Sequence, residues 1–258
     1  MKTLKGWLYA AFIVPTALMG ISSCSKSNTA PVPQQKQYTI SPYNSTSQIS
    51  GTVNFTQVLN ADSIMVTVKL QGVSQDGSYP VYIRQGTSLQ DGLVAYNLGF
   101  VDGANPTLTK EIPMVFSDLA NYNGCLNVYR NPNDTVTIIA QSEIGANNVF
   151  KAYNMYNPVN TSQINGQFRV YQRPTGSYLV VRIDTSVAHI GGTSHPARVY
   201  TAAGDRAFDL TNVDSVSGVS ATSLPDQPYN TLSTYSGSIK VLLSQAFQDV
   251  TLSQGQFK

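Results

Sequence analysis

The chain has 258 residues with 16 basic and 14 acidic side chains, and charged residues make up only 12% of it. It contains no basic cluster, phosphate-binding loop or dinucleotide fingerprint, which argues against nucleic acids and nucleotides as partners. An apolar content of 41% and a small net charge are untypical of a disordered chain.

The first 23 residues have the pattern of a secretory signal peptide. Lys2 and Lys5 precede an apolar stretch from Trp7 to Met19, which is too short to cross about 30 Å of hydrocarbon. We expect this segment to be removed. Because it carries two of the 16 basic residues and no acidic one, the remaining basic residues equal the 14 acidic ones, and the mature chain is formally neutral.

The signal segment ends in Ile21-Ser22-Ser23-Cys24, which resembles the lipobox of bacterial lipoproteins. The resemblance implies cleavage before Cys24, lipidation of that cysteine, and an exported protein whose membrane partner is reached through the lipid. Ser25 differs from the Asp that retains lipoproteins in the inner membrane of enterobacteria. We therefore expect attachment to the outer membrane, on its periplasmic or its surface face.

Residues 24–46 are predicted to form the lipidated cysteine and a flexible tether. This stretch is polar and rich in glutamine, and it contains Pro31, Pro33 and Pro42, so few of its residues could join a core.

An internal repeat begins after the tether. Ser47-Gln48-Ile49-Ser50-Gly51 recurs as Ser162-Gln163-Ile164-Asn165-Gly166, and later matches keep the same order at a nearly constant offset. Alternating apolar residues predict strands with one buried face. They are Ile64, Val66 and Val68 in the first copy and Leu179, Val181 and Ile183 in the second.

The repeat predicts an all-β fold with two tandem antiparallel β-sandwich domains of immunoglobulin-like type, over residues 47–157 and 158–258. Short helical turns are expected at 115–121 and 228–234. Cys125 lies in a strand-like run and has no partner once Cys24 is lipidated. We therefore expect a buried thiol and no disulfide.

Both units resemble the CHRD domain, a β-sandwich module named from chordin and found in bacterial secreted proteins. The resemblance rests on Gly51 and Gly166 in the opening strand, on a Pro-x-x-Ile/Val strand and on a Leu-x-x-Val-Asp turn. It also rests on Ser142-Glu143-Ile144-Gly145, which is similar to the family's Gly-Glu-Ile-x-Gly close. Other residues stand where the family commonly has histidines, and they cannot replace imidazole ligands of a borderline metal. They are Tyr82, Tyr129, Arg198 and Leu242.

Catalytic and metal-binding constellations are not evident in the sequence, so no cofactor and no metal is predicted. His189 and His195 are the only histidines, and surface or capping roles are expected for them. Glu111 and Glu143 are the only glutamates, whereas a paired-carboxylate glycosidase needs two carboxyls facing one cleft.

Two further features concern the surface. Three tripeptides are similar to an O-glycosylation signal of Bacteroidetes, which is the kind of organism that the sequence suggests. They are Asp62-Ser63-Ile64, Asp134-Thr135-Val136 and Asp214-Ser215-Val216. Tyr79 and Tyr82 are predicted to form an exposed patch that contacts a ligand.

These observations favour a non-catalytic, envelope-anchored lipoprotein that binds a protein or glycan ligand or has a structural role. A fimbrial or adhesin-type subunit is the first alternative, and an exchanged donor strand would mark it. A glycan-acting enzyme is the second, and acidic side chains converging on one cleft would mark it.

Overall fold

The computed structural model describes residues 31–158, 164–184 and 194–258. In these ranges the regular structure is mainly antiparallel β-strand, folded into sandwich-like bodies. Residues Pro33–Lys258 form one compact unit. None of the helices within the described ranges is long and apolar enough to span a membrane. The predicted signal segment, Cys24 and His189 lie outside the described residues.

The first eight strands form one sheet in the order β5-β4-β7-β8-β1-β2-β3-β6. They are β1 (Gln35–Pro42), β2 (Ser50–Gln57), β3 (Ile64–Gln71), β4 (Ser78–Gln85), β5 (Val94–Asp102), β6 (Thr107–Ile112), β7 (Asn123–Asn131) and β8 (Asp134–Gly145). The sheet closes over a core of fully buried side chains that includes Phe55, Val66 and Leu126. Alternation puts every second residue of β3 into this core, as the sequence pattern predicts.

A second eight-stranded sheet has the order β14-β13-β17-β18-β9-β10-β11-β16, and a two-stranded sheet of β12 and β15 accompanies it. The strands are β9 (Phe150–Tyr156), β10 (Gly166–Gln172), β11 (Ser177–Ile183), β12 (Ser194–His195), β13 (Ala197–Thr201), β14 (Arg206–Asp209), β15 (Val213–Asp214), β16 (Val219–Leu224), β17 (Gly237–Leu242) and β18 (Thr251–Gln256). Phe168, Val181 and Ile239 are among the buried residues of its separate core.

The two eight-stranded sheets have the same strand order when β1–β8 are matched with β9, β10, β11, β13, β14, β16, β17 and β18 in a corresponding sequence. A short helix precedes the equivalent strands β7 and β17: a 3-10 helix at Phe116–Asn121 and α1 at Tyr229–Leu232. The helical turns expected from the sequence are confirmed. The repeat is therefore a repeat of topology as well as of sequence.

The glycine shared by both copies has a steric reason. A Cβ built on Gly51 would overlap the carbonyl oxygen of Lys69 on the neighbouring strand, and one built on Gly166 would overlap that of Arg182. Only glycine lets the two backbones approach so closely at this point.

The predicted boundaries need correction at two places. Residues Gln35–Pro42 form β1, inside the first sheet, although they were expected to belong to the tether at 24–46. Similarly, β9 belongs to the second sheet and begins at Phe150, whereas the second domain was expected to start at residue 158. Both strands bury alternate side chains, Tyr38 and Ile40 in β1, so apolar alternation was present inside a polar and proline-containing stretch.

Candidate functional site

A buried ion pair joins the two sheets. Glu143 on β8 and Arg169 on β10 have side chains that are 5% and 10% exposed, and Arg169 Nη1 lies 2.8 Å from Glu143 Oε1. The Tyr171 hydroxyl donates to the same oxygen at 2.8 Å. Burial of two charges is tolerated only when further hydrogen bonds satisfy them, and here the second sheet supplies both the cation and a hydroxyl.

The loop between β4 and β5 completes this network. The Ser88 hydroxyl donates to Glu143 Oε1 at 2.7 Å and its backbone N–H lies 3.1 Å from the same atom, while Arg169 Nη1 donates to Ser88 Oγ at 2.8 Å. The next residue, Leu89, packs with Tyr171 and Val180 in a small apolar cluster. We call Ser88, Glu143, Arg169 and Tyr171 the junction network.

Burial dominates the electrostatics of the junction network. Desolvation raises the pKa of the Glu143 carboxyl, and the charge of Arg169 and the hydrogen bonds from Ser88 and Tyr171 oppose that rise. Burial and the neighbouring carboxylate raise the pKa of the Tyr171 hydroxyl well above its ordinary value, so Tyr171 stays a donor. The Oε1 atom of Glu143 thus accepts hydrogen bonds from Ser88, Arg169 and Tyr171, and these bonds offset part of the cost of burying the acid.

A second set of contacts fixes the chain that runs from β8 to β9. Asn147 is fully buried, and its side-chain amide donates to the carbonyl oxygens of Gly86 at 3.1 Å and Gly124 at 3.0 Å. Arg173 Nη2 in turn donates to Asn147 Oδ1 at 2.6 Å, and its guanidinium lies 4.9 Å from the centre of the Tyr178 ring. The connection between the sheets is thus held at Asn147 by contacts from both sides.

A third contact lies further along the β4–β5 loop. Arg182 Nη1 on β11 donates to the carbonyl oxygen of Leu89 and to Asp91 Oδ2, both at 3.0 Å. Asp91 has a positive φ of 47°, which shows that the loop adopts a sparsely populated backbone conformation at this contact.

Two clefts open at the junction. The larger has a volume of about 870 Å³ and the smaller about 570 Å³, and they share Tyr43, Ser88, Gln141 and Arg169 in their walls. Amides, hydroxyls and guanidinium groups dominate the lining of the smaller cleft, and in the larger cleft they are mixed with apolar surface. The Gln141 side-chain oxygen is buried there without a hydrogen-bond partner. Such walls suit a polar ligand with many donors and acceptors.

The prediction of an exposed patch formed by Tyr79 and Tyr82 is wrong. Tyr79 is 7% exposed, points into the first core, and accepts a hydrogen bond from the Ser74 backbone N–H at 2.9 Å. Tyr82 lies on the opposite face of β4 and packs against Tyr129, with ring centres 5.3 Å apart. A residue three positions along a strand faces the other side of the sheet, so Tyr79 and Tyr82 do not share a surface.

His195, and Arg198 at a position where the CHRD family commonly has a histidine, take part in packing and ion pairing. His195 is 3% exposed, which excludes the surface role, the first of the two expected for it, and its Nδ1 lies 2.7 Å from the Leu243 backbone carbonyl oxygen, a contact of the capping kind that was the other expectation. Arg198 is buried and pairs with Asp209 at 3.3 Å. Within the described part of the chain, no group of three or more His, Cys, Asp or Glu side chains could hold a metal ion.

Cys125 is 1% exposed, and burial raises the pKa of its thiol. This confirms the expectation of a buried thiol. A thiol that is both inaccessible and protonated is a poor nucleophile.

The three candidate glycosylation tripeptides differ in their surroundings. Thr135 precedes Val136, which is 88% exposed near the start of β8, and Ser215 precedes Val216, which is 86% exposed in a turn. In the first tripeptide, Ser63 donates to Glu111 and the following Ile64 is buried.

Compared with known proteins, the chain matches no protein-family model, and no curated protein matches it. The resemblance to the CHRD domain accordingly stays a prediction.

Proposed function

We propose that this chain is an exported lipoprotein, anchored through Cys24, whose two CHRD-like β-sandwich domains in tandem act as one non-catalytic binding body at the cell envelope. The supporting observations are the lipobox-like run, the duplicated strand order and the junction clefts.

The observation that carries the proposal is the position of the clefts beside the junction network. Glu143 and Arg169 come from different sheets, and both line the smaller cleft. Because their ion pair is buried, the walls that the two sheets contribute are held at a constant separation. A ligand that binds there would meet a preformed site and would lose little free energy to ordering the protein.

The distribution of carboxylates argues for binding rather than hydrolysis. Among the described residues, Asp184 is the carboxylate that lines the larger cleft and Glu143 is the one that lines the smaller. Glu143 Oε1 already accepts hydrogen bonds from Ser88, Arg169 and Tyr171. A glycosidase needs two available carboxyls across one scissile bond, which neither cleft wall provides.

An adhesin-type subunit is a second candidate, because β1 and β8 separate after two residue pairs and leave strand edges facing each other. An added strand is the usual partner of such edges.

Anchoring is tested by radiolabelled palmitate in cells that express the full chain. We expect the label on the wild type and on Cys125→Ala, and no label and release from membranes for Cys24→Ala. Label on Cys24→Ala would contradict the anchor.

Binding is tested with soluble Cys24→Ala protein against panels of defined oligosaccharides and peptides, by calorimetry and by product analysis. Tyr43 is 43% exposed and lines both clefts, whereas Tyr156 is 48% exposed and lines neither, so Tyr156→Ala is a matched control. For an oligosaccharide or peptide that binds, we expect Tyr43→Ala to weaken the affinity at least about tenfold and Tyr156→Ala to leave it unchanged. Turnover of a probe, or equal affinity for both variants, would contradict the proposal.

A further inference from the structure

The smaller cleft lies where β1 and β8 part. The ladder between them consists of Ser41–Gln141 and Pro42–Ala140 only, although β1 continues back to Gln35 and β8 continues to Gly145. Residues on both sides of the gap line the cleft, including Gln37 and Thr39 on β1 and Ser142 and Glu143 on β8. We call this gap the β1–β8 seam.

The direction of the backbone groups on β1 follows from two hydrogen bonds. The Gln57 N–H donates to the Gln34 carbonyl at 2.8 Å, and the Tyr43 N–H donates to the Ile139 carbonyl at 3.0 Å. In an antiparallel ladder, alternate residues direct their N–H and C=O groups to opposite neighbours. Even-numbered residues of β1 therefore face β2, and the N–H and C=O groups of Gln37 and Thr39 face the seam.

The backbone groups of β8 alternate in the same way. The Ala146 N–H donates to the Tyr122 carbonyl at 2.8 Å, so even-numbered residues face β7 and the odd-numbered Glu143 and Gly145 face the seam. Neighbouring side chains already form hydrogen bonds with some of the backbone groups on this edge. The Ser142 hydroxyl donates to the Glu143 carbonyl at 3.2 Å, and the Gly145 backbone bonds to the Tyr38 hydroxyl. The β1 edge at Gln37 and Thr39 is the more open of the two.

The chemistry of the seam indicates the class of ligand. Donors and acceptors recur along the β1 edge every second residue, about 6.8 Å apart, which is the repeat of an extended peptide backbone. The two acidic and basic side chains in the cleft wall, Glu143 and Arg169, pair with each other. The ring of Phe150 lies beneath the Arg169 guanidinium, 4.9 Å from its centre, and adds an apolar surface.

We infer that the β1–β8 seam binds an extended, uncharged segment of a partner polypeptide, which adds a strand to the β1 edge through main-chain hydrogen bonds. This rests on the proposed binding function and names its ligand class. Main-chain groups give such complexes their affinity, and alternate side chains of the added strand give them their specificity. A segment of about four to six residues matches the length over which β1 is free.

Substitution of Thr39 separates main-chain from side-chain recognition. Thr39 is exposed and its N–H faces the seam, so Thr39→Pro removes a seam donor without removing a bond to β2, as proline is tolerated on an edge. Thr39→Val keeps the backbone and removes only the hydroxyl. Circular dichroism and thermal unfolding establish that both variants are folded.

The probe is a phage library of random decapeptides, selected on soluble Cys24→Ala protein and resynthesised as free peptides. We expect selected peptides to bind Thr39→Val as tightly as the parent and Thr39→Pro at least about tenfold more weakly. Methylation of alternate peptide nitrogens should also weaken binding at least about tenfold, and this arm needs no protein variant. Bound peptide should slow amide exchange at Gln37 and Thr39.

Peptides that bind Thr39→Pro and the parent equally, or that tolerate nitrogen methylation at every position, would overturn the inference. If no peptide is selected while an oligosaccharide binds and is lost with Tyr43→Ala, the inference fails and the proposed binding function stands. If neither class of probe binds, both fail.

Discussion

Loss of the Arg169 charge should weaken the fold more than loss of any exposed ion pair. Arg169 is 10% exposed at its side chain and its partner Glu143 is 5% exposed, so Arg169→Met leaves an acid buried without its cation. Removing one member of a buried pair costs about 3–5 kcal/mol. At about 2–4 °C per kcal/mol for a chain of this size, the midpoint of thermal unfolding should fall by about 10 °C.

The loss should depend on pH with a definite sign. Burial raises the folded pKa of Glu143, so its contribution to stability is fully present below its unfolded pKa and is lost as pH rises through the folded value. Arg169 lowers that folded pKa, and its removal therefore raises it further. The deficit of Arg169→Met should accordingly be larger at pH 8 than at pH 5, because a greater fraction of Glu143 is protonated at the lower pH.

Urea unfolding of soluble Cys24→Ala protein at the two pH values measures this, with Arg130→Met as the matched control. Arg130 lies 3.5 Å from Asp134 but is 61% exposed, and its loss should cost less than about 1 kcal/mol. Equal deficits for Arg169→Met and Arg130→Met, or a deficit that grows toward pH 5, would refute the role given to the junction network.

Three further predictions concern other parts of the chain. In the Cys24→Ala background, Cys125 should not react with a thiol reagent until denaturant is added, because its side chain is buried; rapid labelling of the native protein would contradict that burial. Gly51→Ala should lower the free energy of unfolding by about 1–3 kcal/mol through overlap with the Lys69 carbonyl, whereas Ser50→Ala should change it by less than about 0.5 kcal/mol, as urea titration would show. Hydrogen bonds from Ser217 lower the pKa of Asp214, so its contribution is present above the unfolded pKa and disappears as pH falls through the folded one. Asp214→Asn should therefore be less stable than the parent at pH 7 and equal to it near pH 2 in the same titration; a deficit that persists in acid would argue against this carboxylate.

Local pattern predicted much of the fold. The alternation at Ile64, Val66 and Val68 correctly placed β3 with those side chains inside. The repeated Ser-Gln-Ile-x-Gly run, from which two tandem domains were predicted, corresponds to two sheets with the same strand order, and a glycine that lets neighbouring strands approach closely is needed in both.

The missed strand β1 did leave a signal in the sequence. Lys36, Tyr38 and Ile40 recur as Lys151, Tyr153 and Met155, and in both copies the lysine lies over the tyrosine ring, at 5.8 Å and 5.3 Å. The prolines and glutamines around the first copy favoured a tether. Pairing with β2, which lies further along the chain, decides that this segment is a strand.

Local sequence patterns could not predict the junction network. Ser88, Arg169 and Tyr171 come from a loop and a strand that are far apart in sequence, and no motif or period links them to Glu143. Of the four, only Glu143 stood out in the sequence, within the closing tetrapeptide of the first unit. The packing of the two sheets determines the partners of Glu143, and strand propensity does not predict that packing.

We expect the junction network to hold both sheets as one body with permanent clefts. Residual dipolar couplings of the soluble Cys24→Ala protein, measured for amides of β1–β8 and of β9–β18, test it most directly. If the junction network holds the sheets together, one alignment tensor will fit both sets of couplings. Two tensors that differ in magnitude or orientation would mean that the sheets move independently, and would contradict it.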